Sequence, residues 1–141
     1  MADTFELEVV TPDRLVVKDR AEEMQIPGKN GYLGILPGHT PLITELAVGE
    51  VSYRTPVGTE RLAVAWGFAE VLPDKVTILA ETAERAEEID MARSLEAKQR
   101  AEARLKGGTS EVDVERALRA LQRAETRLQV AAEGKTAASH Q

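Results

Sequence analysis

Arg116, Arg119, Arg123 and Arg127, spaced by three and four, are the residues of this 141-residue chain that come nearest to a chemical device. At about 100° per residue such positions gather on one side of a helix, over about three turns. Guanidinium forks match carboxylates and phosphates bidentately, so the chemistry implied is recognition of an acidic partner or a phosphate. Groups for bond-breaking chemistry are scarcer. There is no Cys, which excludes disulfides, thiolate nucleophiles and Cys-based metal sites. His39 and His140 are the only histidines and stand far apart, so neither a His-rich metal site nor a Ser-His-Asp triad has support; His39 reads as a structural or interface residue. Gly134-Lys135-Thr136 has the ending of a phosphate-binding loop, but Gln129 stands where that loop needs glycine. Gly28, Gly31, Gly34 and Gly38 miss the dinucleotide-binding spacing and read as turn residues.

These residues must be positioned by two different kinds of structure. Residues 1–80 hold all six Pro, all five aromatics and seven of the ten Gly, and their apolar residues tend to alternate. Phe5, Leu7 and Val9 alternate with Glu6 and Glu8, as a strand with one buried face requires. Further strands are expected at 14–18, 22–26, 32–36, 42–46, 49–54, 61–66, 68–72 and 75–79, separated by Pro and Gly turn signals. Strands this closely spaced, with no crossover helices between them, predict a mainly antiparallel β-sandwich. Within it, the segment from Pro27 to Pro41 carries three Pro and four Gly around Tyr32, which predicts a rigid platform presenting Tyr32 and His39 to a protein surface.

Between Ala83 and Ala132 there is no Pro and no aromatic residue, and Ala, Glu, Arg and Leu dominate. Gly107-Gly108 breaks this stretch, with Gly107 expected to cap a helix in the left-handed conformation. Ser110 followed by Asp113 offers a second helix start. The expected fold class is therefore α+β, an antiparallel β-sandwich over 1–82 followed by a two-helix antiparallel hairpin over 83–134, with a disordered tail at 135–141. The arms run over 87–106 and 111–133. Val114, Ala117, Leu118, Leu121, Leu128 and Ala132 are expected to line the apolar side of the second arm, opposite the arginines. On the first, Ala86, Ile89, Ala92, Leu95 and Leu105 form a thin, drifting track. So little apolar area implies weak docking of the arms and a hairpin free to detach or extend.

Mass and charge narrow the function further. At 15.4 kDa the chain is too short for a typical two-domain cofactor enzyme. Its net charge of −6 and five aromatics are a poor composition for gripping nucleic acid. The charge is uneven, with 12 acidic and 7 basic residues in 1–80 against 12 and 11 in 81–141, which suggests different partners for the two halves. No apolar stretch approaches the roughly 18 residues of a membrane span, and the acidic N-terminus lacks the pattern of a signal peptide. A cytosolic location, with membrane association only through a partner, is expected.

Several runs of residues make a resemblance specific. Leu7-Glu8-Val9-Val10-Thr11-Pro12, the segment from Gly31 to Leu42 with its Pro-Gly-His-Thr-Pro core, Gly67-Phe68-Ala69-Glu70-Val71, and Thr77 through Ala83 resemble the epsilon subunits of bacterial F-type ATP synthases, over essentially the whole chain. The resemblance implies a sandwich of about ten strands with a two-helix hairpin, placed in the central stalk on the gamma subunit and the c-subunit ring. It implies a non-catalytic subunit that couples proton-driven ring rotation to ATP synthesis and restrains ATP hydrolysis, with no required cofactor, at the cytoplasmic face of the plasma membrane. Tyr32 and His39 take interface roles on the ring. Relatives can carry a carboxylate where this chain has Tyr32, so an aromatic or hydrogen-bonded contact replaces a charged one.

Some members bind ATP as a regulatory ligand through Ile/Leu-Asp-x-x-Arg-Ala on the first helix and arginines on the second. Here Ile89-Asp90-Met91-Ala92-Arg93-Ser94 matches except that Ser94 replaces Ala. By that similarity Asp90 and Arg93 hold the base or ribose side and Arg123 and Arg127 the phosphates, with Glu84 and Arg100 as further candidates. In an extended state, Arg116, Arg119, Arg123 and Arg127 meet acidic segments of the catalytic beta subunits, with the alpha subunits as further partners. The rival reading is a stand-alone, non-enzymatic module that binds an acidic protein through its Arg-rich hairpin.

Overall fold

A computed structural model describes residues 3–107 and 110–139, and only the backbone of Val112 and of 135–139. The chain divides into two compact units, Met1–Arg85 and Ala86–Gln141. The first contains eight strands: β1 (Phe5–Val10), β2 (Leu15–Ala21), β3 (Glu23–Gly28), β4 (Gly31–Ile35), β5 (Leu42–Leu46), β6 (Gly49–Thr55), β7 (Gly58–Val71) and β8 (Lys75–Arg85). Their order is β2-β1-β8-β7-β5-β3-β4, and β6 pairs with both β3 and β7. All pairings are antiparallel except that of β1 with β8. Phe5, Leu7 and Val9 are buried as their alternation requires, together with Met24, Ile26, Ile35, Val51, Leu62 and Ile78.

The nine strands read along the sequence become eight because two of them, 61–66 and 68–72, are one. β7 runs through both layers, pairing β6 with its first half and β5 with its second. Where it turns the corner its register with β8 is unbroken, Ala65 facing Thr82 and Gly67 facing Ala80, and Trp66 between them stands at φ +47°. Gly67 follows at φ +131°, and a Cβ there would lie 1.9 Å from the Leu79 carbonyl oxygen. Only glycine fits this crossing.

Tyr53 is the largest side chain in the core, and its hydroxyl donates to Asp19 Oδ2 at 3.3 Å. Burial first, and then the Asp19 carboxylate, push its phenol well above the usual tyrosine value of 10.0. The native state therefore holds this proton more tightly than the unfolded chain does. The associated stability is complete below about pH 10, where the unfolded phenol titrates, and is lost as pH rises beyond it. Tyr53→Phe is expected to flatten the fall of thermal stability above about pH 10. It should also cost about 1 kcal/mol at neutral pH through the lost hydrogen bond. Thermal melts at stepped pH check both; an unchanged alkaline limb contradicts the first.

The second unit opens with a short 3-10 turn, Ala86–Glu88, followed by α1 (Met91–Lys106) and α2 (Glu111–Ser139), which pack on one another. Asp90 is the N-cap of α1, its carboxylate accepting from the Arg93 N–H at 3.1 Å. Gly107 caps the other end in the right-handed region, at φ −76°, where a left-handed glycine was expected; its N–H reaches the carbonyls of Ala103 and Arg104. Ser110 donates to Asp113 Oδ2 at 3.1 Å at the start of α2. The helix runs on to Ser139, through most of the segment expected as a tail; His140 and Gln141 lie outside the described residues.

The seam between the helices differs from the expected apolar stripe. Ser94 and Ala101 of α1 and Ala117, Ala124 and Ala131 of α2 are buried, while Leu95 and Leu118 remain 47% and 45% exposed and Ala92 and Ala132 are exposed too. Ser94 and Ala101, and Ala117, Ala124 and Ala131, each repeat every seven residues, the spacing that keeps one line of a helix against a partner; Val130, also buried, stands off that line. Small side chains on that line bring the backbones close, and larger ones are displaced to the flanks. Ser94 sits in this line with its hydroxyl satisfied by the Asp90 carbonyl at 2.9 Å.

Candidate interaction surfaces and anion-binding face

Tyr32 lies at the first end of β4, beside the two-residue turn Lys29-Asn30 that joins it to β3. Its ring is 59% exposed, yet its hydroxyl accepts from the Glu50 N–H at 3.0 Å. Gly49 makes room for this, since a Cβ there would come within 2.7 Å of both the Tyr32 hydroxyl and Pro27. The ring is an exposed but fixed aromatic surface. His39 belongs to the other end. Leu36-Pro37-Gly38-His39 forms a type II turn, with Gly38 at φ +85° and the His39 N–H on the Leu36 carbonyl at 3.1 Å. The Gly38 N–H is held by the Pro73 carbonyl at 2.7 Å, which ties this turn to the one between β7 and β8. His39 Nδ1 lies 2.6 Å from the Thr40 carbonyl oxygen, which can only accept, so Nδ1 carries the proton. With β4 between them, Tyr32 and Leu36 alone stand about 13 Å apart. The platform expected from the sequence is thus rigid but two-ended.

A further surface lies on the outer face of β5, β7 and β8. Phe68 and Leu79 face each other across β7 and β8, and Ile43 sits diagonal to Phe68 on β5, opposite Glu70. The three are 52%, 53% and 71% exposed. Cross-strand apolar neighbours left in water on one sheet face mark a contact surface more than scattered exposure does. This patch was not among the surfaces expected from the sequence. Its signal was the apolar residues on both faces of 68–72, which a half-solvated strand does not need.

The helical unit gathers the arginines. Measured at about 100° per residue from the buried seam, Arg93, Arg100 and Arg104 of α1 and Arg116, Arg119, Arg123 and Arg127 of α2 all fall on the same side of the antiparallel pair. Met91, Leu95, Leu118, Leu121 and Leu128 fall on the other. The nucleotide candidates Arg93, Arg100, Arg123 and Arg127 therefore share one face. Arg104, absent from the sequence expectations, joins them; its spacing of four from Arg100 was the available sign. Arg123 and Arg127 are half-buried and, like Arg119, already have interactions within the chain. Ile89 is buried, and Asp90 is exposed while its carboxylate caps α1. Glu84 lies on β8 of the first unit. Among the described residues no cluster of three His, Cys, Asp or Glu is placed to hold a metal ion.

Comparison with known proteins gives two adjoining family matches. Residues 4–86 match the model of the ATP synthase Delta/Epsilon chain β-sandwich domain, and residues 87–132 that of the Delta/Epsilon chain long α-helix domain. An ATP synthase epsilon chain from Koribacter versatilis is 76% identical over 106 residues, covering 75% of each chain. One from Desulfitobacterium hafniense strain Y51 is 50% identical over 105 residues, 74% of this chain and 80% of the relative. Among solved structures, a chain of the Euglena gracilis mitochondrial ATP synthase OSCP/F1/c-ring assembly superposes with a TM-score of 0.78 at 23% identity, covering 89% of this chain and 80% of that one. A chain of the Tetrahymena thermophila mitochondrial ATP synthase central stalk and c-ring gives 0.55 at 13% identity, covering 92% and 95%. At those identities the two structures speak for the fold alone.

Proposed function

Because the chain belongs to the delta/epsilon chain family of ATP synthase, we propose that it serves as the epsilon subunit of a bacterial rotary, proton-transporting ATP synthase, bound to gamma and the c-subunit ring. The subunit is non-catalytic. The observation that carries this reading is that the two family matches meet between residues 86 and 87, beside the division after Arg85 that the chain's own packing draws. The solved chains of similar fold come from assemblies described as containing a c-ring and, in one, a central stalk. The subunit is part of a membrane-associated complex, and among the described residues no helix is long and apolar enough to cross a membrane. Its place is the cytoplasmic face of the plasma membrane, held there by its partners.

Each unit has surfaces suited to one part of this work. On the sandwich, the Ile43, Phe68 and Leu79 patch offers apolar area to gamma, while Tyr32, His39 or both meet the ring from the two ends of β4. On the hairpin, the arginine face has two uses. With the helices paired, Arg93, Arg100, Arg123 and Arg127 hold ATP, and Ile89 and Asp90 are the further candidates. With the hairpin extended, Arg116, Arg119, Arg123 and Arg127 meet acidic segments of the catalytic beta subunits, beside the alpha subunits, and block rotation in the hydrolytic direction. A ligand that binds the paired state alone shifts the balance by its differential affinity. The narrow Ala and Ser seam keeps that balance within a ligand's reach.

The test is ATP hydrolysis by the assembled complex carrying Arg116→Gln, Arg119→Gln, Arg123→Gln and Arg127→Gln together. Removing four charge-assisted contacts is expected to raise hydrolysis several-fold, while co-purification with gamma and the ring is kept. Hydrolysis equal to wild type in a complex that retains the variant subunit removes the inhibitory role. Failure of the wild-type chain to join the rotor removes the assignment itself.

A further inference from the structure

We propose that the arginine face of the hairpin is a polyphosphate site that reads the phosphate chain and not the nucleobase, and that it accepts linear polyphosphates longer than a triphosphate. The proposal shares Arg93, Arg100, Arg123 and Arg127 with the nucleotide reading above but does not require ATP to bind.

Three observations carry it. First, all seven arginines of the unit 86–141 lie on one side of the helix pair, although the same unit contains Glu96, Glu102, Glu115 and Glu125. Arg93, Arg100, Arg104 and Arg116 are exposed and in no ion pair among the described residues. A carboxylate-rich helix pair that leaves four guanidinium groups together on one face presents a positive field to an outside anion. Second, the groups that would read adenine are missing or engaged. Residues 86–141 contain no Phe, Tyr or Trp on which a base can stack. Ile89 is buried, and the Asp90 carboxylate is held by the Arg93 N–H as the cap of α1. What remains for a ligand is charge and the guanidinium fork, which recognise phosphate oxygens. Third, the face is long. Arg93 to Arg104 spans about 16 Å of α1, and Arg116 to Arg127 the same length of α2. Arg104 and Arg116 lie near the turn joining the helices, beyond the four arginines assigned to a triphosphate. A chain of linked phosphates, flexible and charged at every unit, fits such a line; a compact triphosphate covers only part of it.

The experiment is calorimetric titration of the full chain with ATP, inorganic tripolyphosphate and long-chain linear polyphosphate, with oligoglutamate as an anionic control. Tripolyphosphate is expected to bind within about threefold of ATP, because the base adds no stacking contact. Long-chain polyphosphate should bind more tightly than either, with log K falling linearly against log salt. Arg104→Gln combined with Arg116→Gln should weaken long-chain binding about tenfold or more while leaving ATP affinity unchanged. Circular dichroism of that variant verifies that its helices persist. ATP binding tightly while tripolyphosphate does not would overturn the proposal and leave the nucleotide site standing. Tripolyphosphate binding where ATP does not would support the proposal and remove the nucleotide site. An unaltered polyphosphate affinity in the double variant, or oligoglutamate binding as well as polyphosphate, would also overturn it.

Discussion

Gly67→Ala is expected to lower the melting temperature of the sandwich by about 20 °C or more, the largest effect of any single methyl group added to this chain. Two independent penalties meet there. The backbone stands at φ +131°, which a residue with a side chain reaches only at a cost of about 1–3 kcal/mol. The added Cβ would also sit 1.9 Å from the Leu79 carbonyl oxygen and 2.9 Å from the Ala80 Cα, both backbone atoms that cannot rotate away. Relief requires β7 and β8 to separate where both pass between layers, which opens the core beside Val64 and Ala80. A loss above about 4 kcal/mol follows, a large share of the stability of a domain this size. Gly34→Ala is the matched control. That glycine has no positive φ, and an added methyl group would meet nothing within 4 Å, so its change should stay within about 1 kcal/mol. Calorimetry on both variants decides the matter: similar shifts for the two would show that the corner is not where the sandwich is constrained.

Ala124→Leu should loosen the hairpin by about 2 kcal/mol, seen as roughly thirtyfold faster amide exchange along α1 with the sandwich unaffected. Ala124 is 1% exposed at the middle of the seam, with Ala117 and Ala131 seven residues to either side. Three more carbons on that line push the helices apart and strip contacts from Ser94 and Ala101, the small residues that line α1. Leucine is a good helix former, so the helices themselves are kept and the loss is in their pairing. Leu118→Ala, at a position 45% exposed, should alter exchange by less than about threefold. If Ala124→Leu protects α1 as well as wild type does, the close seam is not what pairs the helices. If it does not, the same variant favours the unpaired state in the assembled complex, and its hydrolysis reports on the proposed switch without touching an arginine.

Much of this architecture is local and could be read along the chain. The alternation at Phe5, Leu7 and Val9, the Pro-Gly turn at Pro37-Gly38, and the loss of Pro and aromatics after residue 82 each follow from one stretch of backbone and its propensities. The arginine spacing on α2 belongs with them, since a single helix is enough to put four side chains on one side. The Leu7 to Pro12 and Gly31 to Leu42 runs likewise pointed to the family that the two matches identify.

Other features depend on what lies opposite, and no single stretch contains that information. The periodicity of α2 suited Leu118 and Ala132 to the seam as well as it suited Ala124 and Ala131; only the approach of α1 selected the small residues and left the leucines outside. That 61–66 and 68–72 form one strand bent at Trp66 was decided by β8 crossing both layers beside it. Tyr32 and His39, seven residues apart in the chain, part because an extended strand puts distance between neighbours where a turn would have joined them. The seven arginines became a single face only when an antiparallel partner set the rotation of each helix about its own axis. Local propensity determines which elements form; which surfaces they share is a property of pairs, and it appears when the elements pack.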